Sequence, residues 1–297
     1  MLWQTVRVPT ALVVILGTAG LTVSSRHHRE ELPGALGRQV DRAVTEAMTA
    51  QKIPGLGVAV AYDGLHWTRA FGLADVENQV PVTSRTVFRL ASISKPITAV
   101  AALQLVQAGK LDLDAPIQTY VPGFPGKRWP VTCRHLLTHQ AGVRWYRGAE
   151  MPSTSHFRHV RDGLSQFQDD PLEFQPGTRF LYSTYGFNLL GAAVEGASGR
   201  PYLDYVREQI FQPAGMVQTR DDNVNEIIPY RAAGYRRNKE GELRNAALMD
   251  SSNKIPGGGL CGTVGDVLAF AEAFQDGRLL TPETRNRMTT PQRLATR

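Results

Sequence analysis

One long apolar helical pattern constrains the fold of this chain more than any other feature. It opens within residues 88–98, FRLASISKPIT, and continues at helical spacing to Gly109. A glycine followed by a lysine is typical of a helix end, because glycine tolerates left-handed backbone and a cation suits the negative end of the helix dipole. Ser92 and Lys95 are three residues apart near the start of the pattern. A helix therefore places these two side chains next to each other on one face.

A serine and a lysine side by side near a helix start have two interpretations. In the first, Ser92 is a helix cap and Lys95 a solvated charge, and Pro96 favours this because proline disfavours helical geometry in the preceding residue. In the second, Ser92 is a nucleophile, since the unpaired N–H groups of a helix start stabilise developing negative charge. A serine hydroxyl then needs a neighbouring base. Lys95 is such a base only if burial or a second cation lowers its pKa from ~10.4 towards 7, which corresponds to roughly 4 kcal/mol.

The composition is that of an ordinary globular chain. Its 297 residues are 42% hydrophobic and 20% charged, which is enough material for a large core. The net charge of +6 is spread along the chain, without a basic run that carries interleaved aromatic residues. The sequence therefore predicts no nucleic-acid partner, and the charge indicates solubility or an anionic surface nearby.

The N-terminus differs from the rest of the chain. Arg7 is the only charged residue before the apolar run 8–25. A short positive region followed by an apolar region is typical of a secretory signal or an uncleaved anchor, and a buried core helix is the alternative. We expect residues 1–25 to be a signal peptide or an N-terminal membrane anchor, through which residues 8–25 associate with a membrane, and residues 26–35 to be a linker.

Two cysteines are too few for a disulfide framework. Cys133 and Cys261 lie far apart in the sequence. Export would permit them to pair, and the sequence leaves this open. We interpret both as buried small residues.

Periodicity and turn signals predict a chain of mixed helices and strands. Helical spacing over residues 36–48 precedes a strand at 56–62, a turn at Asp63-Gly64 and a second strand at 66–72. Further helices are predicted from Ser92 to Gly109, over 131–138, up to Gly199, from Pro201 to Ile210 and over 263–274. Residues 144–170 are polar and irregular, and we expect them to form a surface excursion. A hairpin followed by helices indicates an α+β fold, with a helical body beside a small antiparallel sheet.

A second motif, Tyr182-Ser183-Thr184, follows ninety residues after Ser92. An S-x-x-K followed by a Tyr-Ser-Asn/Thr element resembles the serine β-lactamase and penicillin-binding-protein superfamily, in its class C-like branch. Longer phrases match as well: LDLD at 111–114, LLTHQAG at 136–142, FLYSTYG at 180–186 and GGGL at 257–260. Together they resemble the LACTB-like subgroup of serine hydrolases, over residues 36 to 288. The resemblance implies a β-lactamase/transpeptidase-like fold.

The resemblance also implies roles for individual residues. Ser92 matches the acylated nucleophile, and its backbone N–H matches half of the oxyanion hole, where one donor is typically worth ~3–4 kcal/mol of barrier. Lys95 matches the base, or the cation that keeps a neighbour ionised. Tyr182 matches the phenol that relays a proton to and from the leaving group. Thr184 stands where many relatives have Asn and offers a hydroxyl in place of an amide.

One expected motif is missing from the 297 residues. The superfamily has a third element, K-T-G or H-x-G, on a C-terminal strand, and nothing after Gly265 resembles it. We therefore expect residues 36–297 to form a serine hydrolase domain that is incomplete at its C-terminus. Pro256-Gly257-Gly258-Gly259 is interpreted as a flexible loop near the acyl site, so that Gly258 and Gly259 join Thr184 as predicted substrate-binding residues.

Histidine pairs suggest a metal site as an alternative. His135 and His139 are four residues apart on a predicted helix, and His156 and His159 are three apart. A metal site needs a carboxylate or cysteine that converges with them, and the sequence has no H-E-x-x-H motif. The resemblance already accounts for the first pair. The sequence therefore implies no metal and no cofactor.

Two functional hypotheses remain open at this point. The first is a serine hydrolase that works through an acyl-enzyme on Ser92, with a small-molecule or peptide substrate that carries a carbonyl. A β-lactam, a D-amino-acid peptide, a peptide and an ester all remain open as substrates. The second is a membrane-tethered binding or self-assembling protein with a vestigial site. The expected location is the bacterial periplasm or cell envelope, or the mitochondrion in a eukaryote, and the oligomeric state stays open.

Overall fold

The computed structural model describes residues 11–16, 27–28, 34–62 and 65–294 of the chain. The chain divides into two compact units. Unit 1 comprises Met1–Phe88, Ile228–Ala247 and Gly262–Leu268, and unit 2 comprises Arg89–Ile227, Leu248–Cys261 and Ala269–Arg297.

The strands and helices occur largely in separate runs along the chain, as is typical of an α+β protein. In chain order they are β1 (Ala11–Leu16), β2 (His27–His28), α1 (Gly34–Gln51), β3 (Gly55–Tyr62), β4 (Leu65–Asp75), β5 (Val80–Pro81), β6 (Phe88–Arg89), α2 (Ser94–Gln107), α3 (Cys133–Leu137), α4 (Thr184–Ser198), α5 (Tyr202–Val206), α6 (Gln212–Ala214), β7 (Arg220–Asp221), β8 (Tyr235–Arg237), β9 (Leu243–Asn245), α7 (Ile255–Gly258), β10 (Leu260–Gly262), α8 (Val264–Gln275) and α9 (Pro282–Thr289).

The main sheet of unit 1 is built on the predicted hairpin. Strands β3 and β4 pair antiparallel, with Leu56 opposite Phe71, and the turn at 63–64 lies outside the described residues. Strand β1 runs parallel to β3, β2 runs parallel to β4, and β5 pairs with β4. Within the described residues this sheet therefore has five strands.

Alternation along β3 explains how this sheet is buried on both faces. Leu56, Val58 and Val60 face one side, where α1 covers them with its apolar stripe of Leu36, Val40, Val44 and Met48. The residue between them, Ala59, faces the other side and packs against Val264 and Leu268 of α8. The helical period predicted over 36–48 is thus confirmed as the face that covers the sheet.

The predicted targeting segment is described only in part. Ala11–Leu16 forms strand β1, and the other residues of the 1–25 segment lie outside the described residues. Within the residues that the structure describes, no helix combines the length and apolarity that crossing a bilayer requires. A signal peptide or anchor over 1–25 stays a prediction.

Helix α2 is the centre of unit 2. Its residues from Ile97 to Leu103 are all buried, so the helix is covered on every side rather than on one stripe. Helix α4 is buried along most of its length, and its glycines let other segments approach closely: a Cβ at Gly191 would lie 2.2 Å from Pro256, and one at Gly196 would lie 1.8 Å from the Tyr120 carbonyl oxygen. Helices α2 and α4 begin just after Ser92 and Tyr182, so this packing positions the two motifs.

Two segments are more ordered and more buried than the sequence indicated. Residues 144–170 are irregular except for a 3₁₀ helix at Val160–Gln166. Val160, Leu164 and Phe167 are buried, so this stretch is part of the core and not a surface excursion. Gly257 is buried in the short helix α7, which corrects the expectation of a flexible loop at 256–259.

Both cysteines have the predicted character. Cys133 and Cys261 are fully buried, and neither forms a disulfide. Burial raises the pKa of the Cys133 thiol to about 12, so this side chain behaves as a small apolar group.

Candidate active site

Ser92 is presented by a strained turn immediately before α2. It lies in the 3₁₀ turn Ala91–Ile93, two residues before the start of the helix that the sequence predicted to begin around it. Ala91 has φ +46°, a left-handed conformation that costs an alanine about 1–2 kcal/mol. Such strain is found preferentially at functional sites. The turn leaves Ser92 exposed, whereas the hydroxyl of the neighbouring Ser94 is buried and accepts a hydrogen bond from the Leu260 N–H.

Lys95 approaches Ser92 from inside the protein. Its Nζ lies 3.2 Å from the Ser92 Oγ, 3.2 Å from the Thr184 Oγ1 and 2.5 Å from the Gly257 carbonyl oxygen. The residue is only 5% exposed, and no carboxylate among the described residues forms an ion pair with it. Burial lowers the pKa of Lys95 to about 7. Pro96 fits in the first turn of α2, where a proline costs little.

The Tyr182 hydroxyl approaches Ser92 from the other side. It donates a hydrogen bond to the Ser92 Oγ at 2.7 Å. Its ring lies 4.7 Å from the Lys95 Nζ, a cation–π distance. Burial raises the pKa of Tyr182 above the ordinary phenol value. At neutral pH Tyr182 is therefore a proton donor, while Lys95 is partly deprotonated and can accept a proton.

The His139 ring packs against the Tyr182 ring. The two ring centroids are 4.4 Å apart, and the His139 Nδ1 accepts a hydrogen bond from the Ser183 N–H at 3.1 Å. Burial, together with the positive charge of Lys95, lowers the pKa of His139 to about 4. The imidazole is therefore neutral at physiological pH, with its proton on Nε2. In this state it packs on the Tyr182 ring as an uncharged aromatic group.

The three predicted substrate-binding residues occupy different positions. Thr184 is 4% exposed and contacts the Lys95 ammonium, so it faces the base and not the solvent. Gly258 is partly exposed and packs beside Ala91, where an added Cβ would lie 3.7 Å from the Ala91 carbonyl. Gly259 is buried, donates to the Ile255 carbonyl and accepts from the Asp222 N–H, so both of its backbone groups are used inside the fold. The structure thus brings Gly258, but not Gly259, close to the turn that carries Ser92.

Sequence reasoning missed a buried arginine that holds this site together. Arg144 is 5% exposed and pairs with Glu150 at 2.7 Å and with Asp170 at 2.6 Å. Its side chain also donates to the Trp145 carbonyl, while its own carbonyl accepts from the Ser183 hydroxyl at 2.8 Å. A single arginine therefore connects the loop after Gly142 to the motif that contains Tyr182. The sequence around Arg144 is polar and irregular, and it has no periodicity that would indicate burial.

The histidine pairs have other partners. The His135 Nδ1 lies 3.1 Å from the Thr132 hydroxyl, and the His156 Nδ1 lies 2.8 Å from Asp250. In the portion of the chain that the structure describes, no group of three or more His, Cys, Asp or Glu side chains converges on a point.

The fold and the arrangement of Ser92, Lys95 and Tyr182 define a β-lactamase/transpeptidase-like protein. The family described as Beta-lactamase matches residues 40–297. The chain therefore belongs to the beta-lactamase family, and the fold class and the resemblance predicted from the sequence are confirmed.

Several characterised proteins are similar to this chain. It is 35% identical over 300 residues to the serine beta-lactamase-like protein LACTB, mitochondrial, of Mus musculus, covering 75% of this chain and 54% of that protein. It is 32% identical over 289 residues to the esterase EstB of Burkholderia gladioli, covering 84% of this chain and 73% of the esterase. The structure of the octameric penicillin-binding protein homologue from Pyrococcus abyssi superposes with a TM-score of 0.74 at 28% identity, covering 85% and 60% of the two chains. This chain thus spans about half the length of the LACTB relatives that it matches.

Proposed function

We propose that this chain is a serine hydrolase that works through an acyl-enzyme on Ser92. One observation carries the proposal: the Ser92 Oγ lies between the Lys95 Nζ at 3.2 Å and the Tyr182 hydroxyl at 2.7 Å. A base whose pKa is near 7 and an acid that keeps its proton are the two groups that acyl transfer requires.

In the acylation step, neutral Lys95 accepts the Ser92 hydroxyl proton as the Ser92 Oγ bonds to the substrate carbonyl carbon. A neutral amine has two N–H donors and one lone pair. These match the three partners of the Nζ, since Thr184 and the Gly257 carbonyl can take the donors and the Ser92 O–H faces the lone pair. The Ser92 backbone N–H stabilises the oxyanion, as the resemblance implies.

Collapse of the tetrahedral intermediate breaks the bond to the leaving group. Tyr182 donates its proton to the departing oxygen or nitrogen, and the phenolate that remains recovers a proton from the Lys95 ammonium. Lys95 is thereby neutral again and accepts a proton from the water that attacks the acyl-enzyme. The second collapse returns the proton to the Ser92 Oγ and releases a carboxylic acid. The net reaction consumes one water and one ester or amide bond.

An ester is the first substrate class to assay. EstB is an esterase by name, and it is matched over 73% of its length. We propose a small-molecule or peptide substrate with a carbonyl. Activated esters are the first substrates to assay, because their leaving groups depart with little help from a general acid.

Covalent labelling tests the proposal directly. A fluorophosphonate probe should label the wild-type protein, and Ser92→Ala should abolish labelling. Ser94→Ala is the matched control, because Ser94 is the other serine of the motif and its buried hydroxyl contacts Leu260, so labelling should persist. Absence of labelling in the folded wild-type protein would overturn the proposal and favour a vestigial site, and so would labelling that survives Ser92→Ala.

A further inference from the structure

Three exposed aromatic side chains are connected to the proposed nucleophile through Tyr182. Trp145, Phe180 and Tyr182 are 43%, 63% and 37% exposed, and we call them the aromatic rim. The centroids of the Trp145 and Tyr182 rings are 5.5 Å apart, and those of the Phe180 and His139 rings are 5.7 Å apart. The Tyr182 ring also packs on His139. The rim is thus a connected aromatic surface beside Ser92.

The backbone of the rim is held in place. Arg144 donates to the Trp145 carbonyl at 2.9 Å, and the Leu181 N–H donates to the His139 carbonyl at 2.8 Å. Arg144 is itself fixed by the ion pairs to Glu150 and Asp170. Large aromatic groups that stay exposed on a fixed backbone are typical of a binding surface, because they offer apolar area without loss of conformational freedom on binding.

The rim presents no charge at neutral pH. His139 beneath it is neutral, since burial and the charge of Lys95 lower its pKa to about 4. Tyr182 keeps its proton, and Lys95 is buried under the Tyr182 ring. The chemistry of the rim therefore fits an uncharged apolar group.

We propose that the aromatic rim binds the acyl substituent of the substrate and selects esters or amides with an aromatic or branched acyl group over those with an acetyl group. This inference rests on the proposed function. Trp145 contacts the ring of Tyr182, whose hydroxyl lies 2.7 Å from the Ser92 Oγ, so the rim adjoins the atom that carries the acyl group. A group bonded to the Ser92 Oγ stays beside the rim in both half-reactions, whereas the leaving group departs after the first.

Two p-nitrophenyl esters test this inference, since phenylacetate and acetate share one leaving group. The wild-type protein should hydrolyse the phenylacetate with the higher kcat/KM. Trp145→Ala should lower kcat/KM for phenylacetate by roughly tenfold or more and leave the acetate nearly unchanged. Phe180→Ala should shift the same ratio in the same direction. Trp129→Ala is the matched control, because the ring of Trp129 packs on Arg128 and not on a rim residue, and its ratio should equal that of the wild type.

Three results would overturn the inference. The first is a wild-type protein without preference for phenylacetate. The second is an equal loss on both esters in the rim variants, which would mean that Trp145 only positions Tyr182. The third is a shift that appears when the alcohol of an acetyl ester is varied, which would assign the rim to the leaving group. If Trp145→Ala does not fold, as judged by circular dichroism, Phe180→Ala decides alone. Fluorophosphonate labelling of Ser92 in the wild type separates failure of this inference from failure of the proposed function.

Discussion

The Lys95 Nζ lies 2.5 Å from the carbonyl oxygen of Gly257, a residue 162 positions later in the chain. A carbonyl can only accept a hydrogen bond, so this contact always uses one Nζ proton. It therefore directs the remaining positions of the Nζ towards Thr184 and the Ser92 Oγ. Gly257 therefore contributes to the site through its carbonyl, which accepts a hydrogen bond from the base, and not as part of a flexible loop.

Replacement of Gly257 by alanine should disable the base without a change in any catalytic side chain. A Cβ at Gly257 would lie 2.5 Å from the Thr184 Cγ2 and 2.8 Å from the Thr184 carbonyl oxygen. Both distances are shorter than van der Waals contact allows, so the backbone at residue 257 must shift. The displaced carbonyl then no longer holds Lys95. We expect the esterase kcat of Gly257→Ala to fall by roughly tenfold to a hundredfold. Gly123→Ala is the control, because a Cβ there meets nothing within 4 Å and activity should not change. Full activity in Gly257→Ala would refute this role of the carbonyl.

Removal of the Tyr182 hydroxyl should slow the chemistry and leave the fold intact. Tyr182→Phe keeps the ring contacts to His139 and loses only the hydrogen bond to the Ser92 Oγ. A positioned general acid typically contributes 10²- to 10⁴-fold, so we expect kcat to drop within about that range. Tyr205→Phe loses a hydroxyl that contacts Gln104 and should keep wild-type kcat. Equal kcat values for the two variants would exclude Tyr182 as the acid.

Lys95 should destabilise the folded protein at neutral pH. Its pKa falls from 10.5 in the unfolded chain to about 7 in the folded state, so between these pH values the unfolded state binds more protons. The penalty is therefore complete at and below pH 7, where it amounts to roughly 4–5 kcal/mol, and it disappears as the pH rises to 10.5. We expect Lys95→Met to gain stability relative to the wild type, and this advantage should shrink by about 1.4 kcal/mol per pH unit above pH 7. Urea unfolding at several pH values measures it.

A second buried lysine provides the comparison for this experiment. Lys254 is 6% exposed, and burial lowers its pKa to about 8. The advantage of Lys254→Met should stay constant up to about pH 8 and shrink only above it. Identical pH dependences for the two variants, or an advantage of Lys95→Met that does not vary with pH, would contradict the assignment of the lower pKa to Lys95.

His139 should make the protein sensitive to acid. Its pKa is about 4 in the folded state and 6.5 unfolded, so the folded state loses stability as the pH falls through this window. His139→Asn removes the titrating group and retains an acceptor for the Ser183 N–H, and asparagine tolerates the φ of +56° at this position. Between pH 6.5 and 4 the wild type should lose roughly 2–3 kcal/mol relative to the variant in urea unfolding. Parallel stability curves would show that His139 does not titrate in this range.

Local patterns were sufficient to predict most of the secondary structure and the pairing of the two motifs. The apolar period over 36–48 has no competing interpretation, and glycine at 109 and 199 ends helices with left-handed φ values of +65° and +70°. The helix starts at Ser94 and not at Ser92, yet Ser92 and Lys95 still lie side by side as their spacing predicted. The reason is that the 3₁₀ turn Ala91–Ile93 leads directly into α2 with helical backbone angles at Ile93 and Ser94.

Features that depend on distant contacts could not be predicted in this way. The Gly257 carbonyl contacts Lys95 next to Pro256, which packs tightly against α4 at Gly191. The burial of Arg144 likewise depends on Asp170, twenty-six residues later, and a polar loop sequence gives no sign of it. Strand β1 adds to the sheet through backbone pairing, which leaves no pattern beyond the apolar run that also predicts a signal or anchor.

The pH dependence of Ser92 labelling tests the central claim most directly. If Lys95 is the base, the rate of fluorophosphonate labelling should rise with pH along a single titration whose midpoint is about 7, because burial lowers the pKa of Lys95 to that value. The midpoint should be unchanged in Ser94→Ala, and the titration should be absent in Lys95→Met. A rate that does not vary between pH 6 and 8, or a midpoint near the ordinary lysine value of ~10.4, would contradict the account.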